Sequence, residues 1–151
     1  MNVSAKVDYA VRGAVELAAA YPATLKGERL AQLQDIPVKF LESILAQLRH
    51  AGIIRSQRGP EGGYWLARPP QEVTLAEVIR AVDGPLANVR GERPETVVFA
   101  GAAQPLRDVW IAVRANLRVV LESVTLAEVA DGMLPEIVTK LTADSEAWRP
   151  H

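Results

Sequence analysis

Between Val3 and Leu48 apolar residues recur three times at helical spacing, and the third run closes on a glycine followed by a short hairpin pattern. Val3, Val7, Ala10, Ala14, Leu17 and Tyr21 are four and three residues apart, the period of one helix face, and Val11 and Ala18 widen the stripe. Ser4 is placed to cap this helix and Pro22 to stop it. A short second helix is expected over residues 28–34, carrying Leu30, Ala31 and Leu33. Asp35-Ile36-Pro37 then turns the chain, because the residue before a proline is pushed out of helical angles. The third helix, over residues 37–51, starts on Pro37 and shows Val38, Leu41, Ile44, Leu45 and Leu48 on one face. It ends at Gly52, a natural left-handed cap. Two β-type runs, 53–57 and 64–67, flank the tip Arg58-Gly59-Pro60-Glu61-Gly62-Gly63 and read as a hairpin with a long turn.

The second half carries an internal echo. Val73-Thr74-Leu75-Ala76-Glu77-Val78 returns as Val124-Thr125-Leu126-Ala127-Glu128-Val129. Each copy holds Thr-x-x-Glu, the capping box of a helix start, and six residues are too few for a solenoid repeat. Residues 84–104 are rich in Gly, Pro and Ala without a clear period and read as a loop. A long helix over 104–123 follows. Its apolar positions Leu106, Trp110, Val113, Leu117, Val120 and Val124 alternate spacings of four and three, a heptad seam. Such a seam suits either self-association or an intramolecular core helix. The tail, 132–151, has apolar residues but weak patterning.

Composition narrows the chemistry. The chain of 151 residues is 49% hydrophobic and 23% charged, an ordinary globular balance of one domain or one domain plus an extension. It has no cysteine and only two histidines, His50 and His151, which removes thiol catalysis and thiolate-held iron–sulfur clusters. His50 reads as a helix C-terminal residue favoured by the macrodipole. No cofactor and no metal site are expected. No apolar run approaches the ~18–20 residues that span a bilayer, and the N-terminus lacks the order of a signal peptide. A cytoplasmic protein without membrane contact is expected. The net charge of −1 conceals an asymmetry: residues 1–70 hold nine Lys/Arg against six acids, and the remainder eight against twelve. Such a split hints at a nucleic-acid-binding part joined to a different module.

Helix, helix, turn, helix, hairpin is the order of a winged helix-turn-helix. A helix fits the major groove, where each base pair shows a distinct donor and acceptor pattern. The polar side of the 37–51 helix offers Lys39, Glu42, Ser43, Gln47 and Arg49. A glutamate accepts from cytosine N4–H, and Gln and Ser pair with several bases. Arg58 on a slim hairpin is suited to the negative minor groove, and Gly59, Gly62 and Gly63 would let the backbone approach phosphates closely. Taken singly, Lys39, Glu42 and Arg49 also read as a solvated helix face. The force lies in the ordered combination.

The same residues resemble the IscR/NsrR/CymR-type (Rrf-two) family of bacterial winged-helix transcription regulators. The matching pieces are Asp8-Tyr9-Ala10-Val11-Arg12, the run from Ile36 to Leu45, Ala51-Gly52-Ile53-Ile54-Arg55-Ser56 and, most specific, Arg58-Gly59-Pro60-Glu61-Gly62-Gly63-Tyr64 followed by Leu66-Ala67-Arg68-Pro69. Both Val-Thr-Leu-Ala-Glu-Val segments and Trp110 also sit where the family has them. The resemblance implies a mainly α fold with a small β-hairpin: a winged helix-turn-helix head over 1–70, an effector and dimerisation region over 71–131 with the long helix, and a tail. It implies a homodimer reading a palindromic operator on double-stranded DNA, probed by Lys39, Phe40, Glu42 and Ser43, with Arg58 in the minor groove. Leu106, Trp110, Val113, Leu117 and Val120 would form the dimer interface. Cluster-binding members carry cysteines in the stretch matching 84–106; here Phe99-Ala100-Gly101-Ala102-Ala103-Gln104 stands there, so no iron–sulfur cluster is expected.

The leading expectation is therefore a sequence-specific DNA-binding regulator, a repressor, answering to a small-molecule or protein effector that the residues do not name. A regulatory protein-interaction module acting through a partner enzyme is the alternative. A carboxylate enzyme using Asp8, Glu16 or Asp83 finds no support in spacing.

Overall fold

The Ser4 hydroxyl accepts the Val7 N–H at 3.2 Å and starts α1 (Ala5–Ala20). The computed structural model describes residues 2–151. Val7, Ala10, Ala14 and Leu17 of α1 are buried as the period requires. Small residues bring the neighbours close, since a Cβ on Gly13 would stand 3.5 Å from Leu41 Cδ1.

Helix α2 (Gly27–Gln34) buries Leu30 and Ala31 and ends on Asp35 in the left-handed region, with φ 51°. Helix α3 (Val38–His50) buries Leu41, Ile44, Leu45 and Leu48, while its other side faces solvent. It closes as a Schellman motif: Gly52 has φ 77°, its N–H donates to Arg49 O at 3.0 Å, and the Ile53 N–H donates to Leu48 O at 3.0 Å.

Strands β1 (Ile54–Gln57) and β2 (Gly63–Leu66) pair antiparallel, with Ile54 opposite Leu66 and Gln57 opposite Gly63. Ile54 and Leu66 anchor the hairpin in the core. Leu25, between α1 and α2, forms an isolated antiparallel bridge to Tyr64 at the wing's base.

Helices α4 (Leu75–Asp83) and α6 (Leu126–Asp131) carry the repeated hexapeptide, and both capping boxes form. The two copies also meet: Leu75 N–H donates to Val124 O and Leu126 N–H to Val73 O, each at 2.9 Å. Val73, Val78, Val82 and Leu126 join one core with the α1 and α3 side chains. Val124, expected as the last seam position, is 3% exposed and lies beyond the long helix, because the bridge draws it into the interior.

That helix, α5, spans Leu106–Leu121, shorter than expected, and none of its residues is buried. The 84–104 segment contains 3₁₀ turns at Pro94–Thr96 and Gly101–Ala103 and a bridge between Val89 and Glu92. The weakly patterned tail forms α7 (Glu136–Ala143) and a 3₁₀ turn (Ser145–Trp148), which the Trp148 indole N–H ties to Thr142 O at 2.7 Å. The apolar residues of α7, Ile137, Val138 and Leu141, make only one short stripe, and no α7 residue is buried. Among the described residues no helix is long and apolar enough to cross a membrane.

Candidate nucleic-acid interface

The candidate surface is the outward side of α3 together with the wing tip. Burial of Leu41, Ile44, Leu45 and Leu48 fixes the rotation of α3 and leaves Lys39, Phe40, Glu42 and Ser43 exposed. Gln47 is half-buried. Arg49, in the last turn, is exposed and donates to Ser56 Oγ at 3.3 Å, so it braces the hairpin against α3.

Phe40 is held from below. Its ring meets Tyr9 of α1 edge-on, with centroids 5.5 Å apart and planes at 86°. The Arg12 guanidinium lies 5.3 Å from the centroid of the same Tyr9 ring. Arg12 also donates to Asp8 Oδ2 at 2.9 Å, to Gln34 Oε1 at 3.0 Å and to the Gln34 carbonyl, and the Gln34 amide donates to Glu16. One side chain thereby joins α1 to the end of α2, the element that presents α3. The positioning role of Arg12 was not read from the sequence. Its signal was the i,i+4 pair with Asp8 and the i,i+3 pair with Tyr9.

Arg58 is exposed at the wing tip, and Gly59 next to it has φ 103° with open space where a Cβ would stand. Gly62 and Gly63, expected to let the backbone approach phosphates, have a role within the fold as well. Both are buried. A Cβ on Gly62 would fall 2.2 Å from Gln57 O, and one on Gly63 2.7 Å from Leu25 O. These glycines serve the wing's own backbone packing.

The family model described as "Rrf2: Iron-dependent Transcriptional regulator" matches residues 3–132. The chain belongs to the Rrf2 family. A Mycobacterium tuberculosis protein (strain H37Rv), provisionally named HTH-type transcriptional regulator Rv1287, is 49% identical over 148 residues, covering 97% of this chain and 92% of that one. The HTH-type transcriptional regulator CymR of Bacillus subtilis is 32% identical over 133 residues, covering 86% and 90%. Among solved structures, that of CymR, the global cysteine regulator of B. subtilis, superposes with a TM-score of 0.74 at 30% identity, covering 87% of this chain and 97% of that one. IscR of T. potens gives 0.68 at 28% identity, covering 100% and 93%.

This Rrf2 chain is therefore a DNA-binding transcriptional regulator with a winged-helix fold, not an enzyme. The iron in the family's description does not fit its residues. The sequence holds no cysteine, and among the described residues no group of three or more His, Asp or Glu is placed to hold a metal ion.

Proposed function

We propose that this Rrf2 member is a homodimeric repressor that reads a palindromic operator with α3 in the major groove and the wing beside it, without an iron–sulfur cluster. The observation carrying this reading is the exposed set Lys39, Glu42, Ser43 and Arg58, on elements whose opposite faces are locked into the core. Thirteen residues of helix span about 20 Å, which suits a major groove about 12 Å wide. Phe40, steadied by Tyr9, meets the sugar–phosphate backbone. Arg58 and Gly59 enter the minor groove, whose negative potential draws cations.

Dimerisation is assigned to α5. Val113, Leu117 and Val120 line an apolar groove of about 640 Å³ whose other wall is Val7 and Val11 of α1 with Leu75 and Ile79 of α4. Leu106 is 40% exposed and Trp110 half-buried on the same helix. A second copy's apolar seam covers these side chains and offsets the cost of leaving them in water.

The proposed division of roles is a reading head over 1–70, an effector and dimerisation region over 71–131, and a tail over 132–151. The protein works in the cytoplasm, answering to a small-molecule or protein effector. Gel-shift titration on the gene's own upstream region tests the proposal. Binding well above that to random DNA at physiological salt is expected. Equal binding to both, with a stable partner complex in a pull-down, favours the interaction module instead.

A further inference from the structure

Between α4, the segment after it and α5 lies an open cleft of about 520 Å³, lined by Arg80, Arg93, Arg114 and Arg118 against Glu95 and Glu122. Four guanidiniums facing two carboxylates leave a formal excess of two positive charges. Glu122 accepts from both Arg80 and Arg118, and Glu95 from Arg114. Arg93 stands near Glu95 but forms no ion pair among the described residues. Leu86, 7% exposed, supplies an apolar floor.

Exposed ion pairs add little stability, so holding the fold together does not account for gathering four arginines in one concavity. A cleft with a net excess of positive charge, and with Arg93 outside any ion pair among the described residues, raises the local concentration of anions. Guanidinium forks match the oxygens of phosphate in bidentate fashion. We propose that this cleft binds a small phosphorylated metabolite as the effector of the regulator. A phosphate monoester carries about −1.5 to −2 charge near neutral pH, which matches the excess. The volume falls within the roughly 300–1,000 Å³ of ligand sites, which leaves room for an organic portion over Leu86. The cationic lining disfavours an iron ion in the same place.

The position also supplies a means of regulation. Arg80 to Glu122 ties α4 to the end of α5, and Arg114 to Glu95 ties α5 to the preceding segment. A phosphate competing with the two glutamates for these guanidiniums changes how α5 is held against the head. This regulatory step rests on the reading of α5 as the dimer element, whereas ligand binding does not.

Isothermal titration calorimetry of the full chain without DNA, using ribose 5-phosphate, ribose and citrate, separates the two. Ribose 5-phosphate is expected to bind at least tenfold more tightly than ribose or citrate. R93A/R118A is expected to weaken that binding at least tenfold, and R93Q alone severalfold, with unchanged circular dichroism. Absence of binding, equal binding of citrate, or binding unaffected by R93Q and R93A/R118A overturns the proposal. So does a loss of DNA affinity in R93Q in phosphate-free buffer, which makes the arginines DNA contacts.

Discussion

Leu25 and Tyr64 exchange two backbone hydrogen bonds: Leu25 N–H donates to Tyr64 O at 2.9 Å, and Tyr64 N–H to Leu25 O at 2.7 Å. A hairpin of two short strands is marginal by itself. Through this exchange the wing becomes part of the head, and Arg58 is presented from a fixed base.

Gly63 packs against that base at Leu25, and Gly62 against Gln57 across the hairpin. Replacing either with alanine drives a Cβ into backbone oxygen, at 2.2 Å from Gln57 O or 2.7 Å from Leu25 O. A loss of about 1–3 kcal/mol is expected for each. Gly59→Ala meets open space and costs only its backbone strain, about 1–2 kcal/mol at φ 103°. Urea melts of the three variants check the order, with Gly59→Ala the mildest.

Arg12 is the second tie. Arg12→Ala removes hydrogen bonds to Asp8, to the Gln34 side chain and to the Gln34 carbonyl. A loss of about 1–2 kcal/mol in stability is expected, reduced because the group is partly exposed. DNA affinity falls further than stability requires, since α2 and Tyr9 no longer fix α3. Thermal melts and gel shifts on the same preparation separate the two effects.

The expected order of helices, the Ser4 cap, the Gly52 cap and the hairpin are all present, because each follows from local rules of period and backbone angle. Long-range pairings were not legible. The meeting of Leu25 with Tyr64 joins segments that carry no mutual signal in a single sequence, and the repeated hexapeptide marks two like helix starts without saying that Thr74 and Thr125 pair. The arginine cleft was hidden for the same reason: its residues come from α4, the following segment and α5.

Acid is expected to weaken the fold chiefly through Glu77, because the exposed pairs of Glu95 and Glu122 add little. Glu77, Glu95 and Glu122 all lie below the ordinary value of 4.5. At Glu77, burial pulls upward but is outweighed by the Thr74 N–H and the Arg68 guanidinium. At Glu95 its own backbone N–H leads, followed by Arg114, and at Glu122 the Arg80 hydrogen bond leads, opposed by desolvation and supported by Arg118. Lowered folded values mean that the stabilisation is present above about pH 4.5 and is lost as pH falls through the lowered values. Tm is expected to drop through that range. Glu77→Gln keeps the capping geometry but flattens part of the drop.

Leu117→Asp places a charge on the groove wall of α5. Sedimentation equilibrium is expected to show monomers for this variant and dimers for the parent, with folding retained because Leu117 lies outside the buried core.

Arg58→Ala is expected to weaken binding chiefly at A·T-rich wing positions, and Glu42→Ala to relax discrimination at one base pair by about 1–3 kcal/mol. The most direct measurement is selection of bound DNA from a random pool by the full chain at physiological salt. The predicted result is an inverted repeat whose half-sites lie roughly 34–36 Å apart, or a multiple of that, with enrichment lost in Glu42→Ala at one position of each half. A pool that stays random, or a single unrepeated site, contradicts the account.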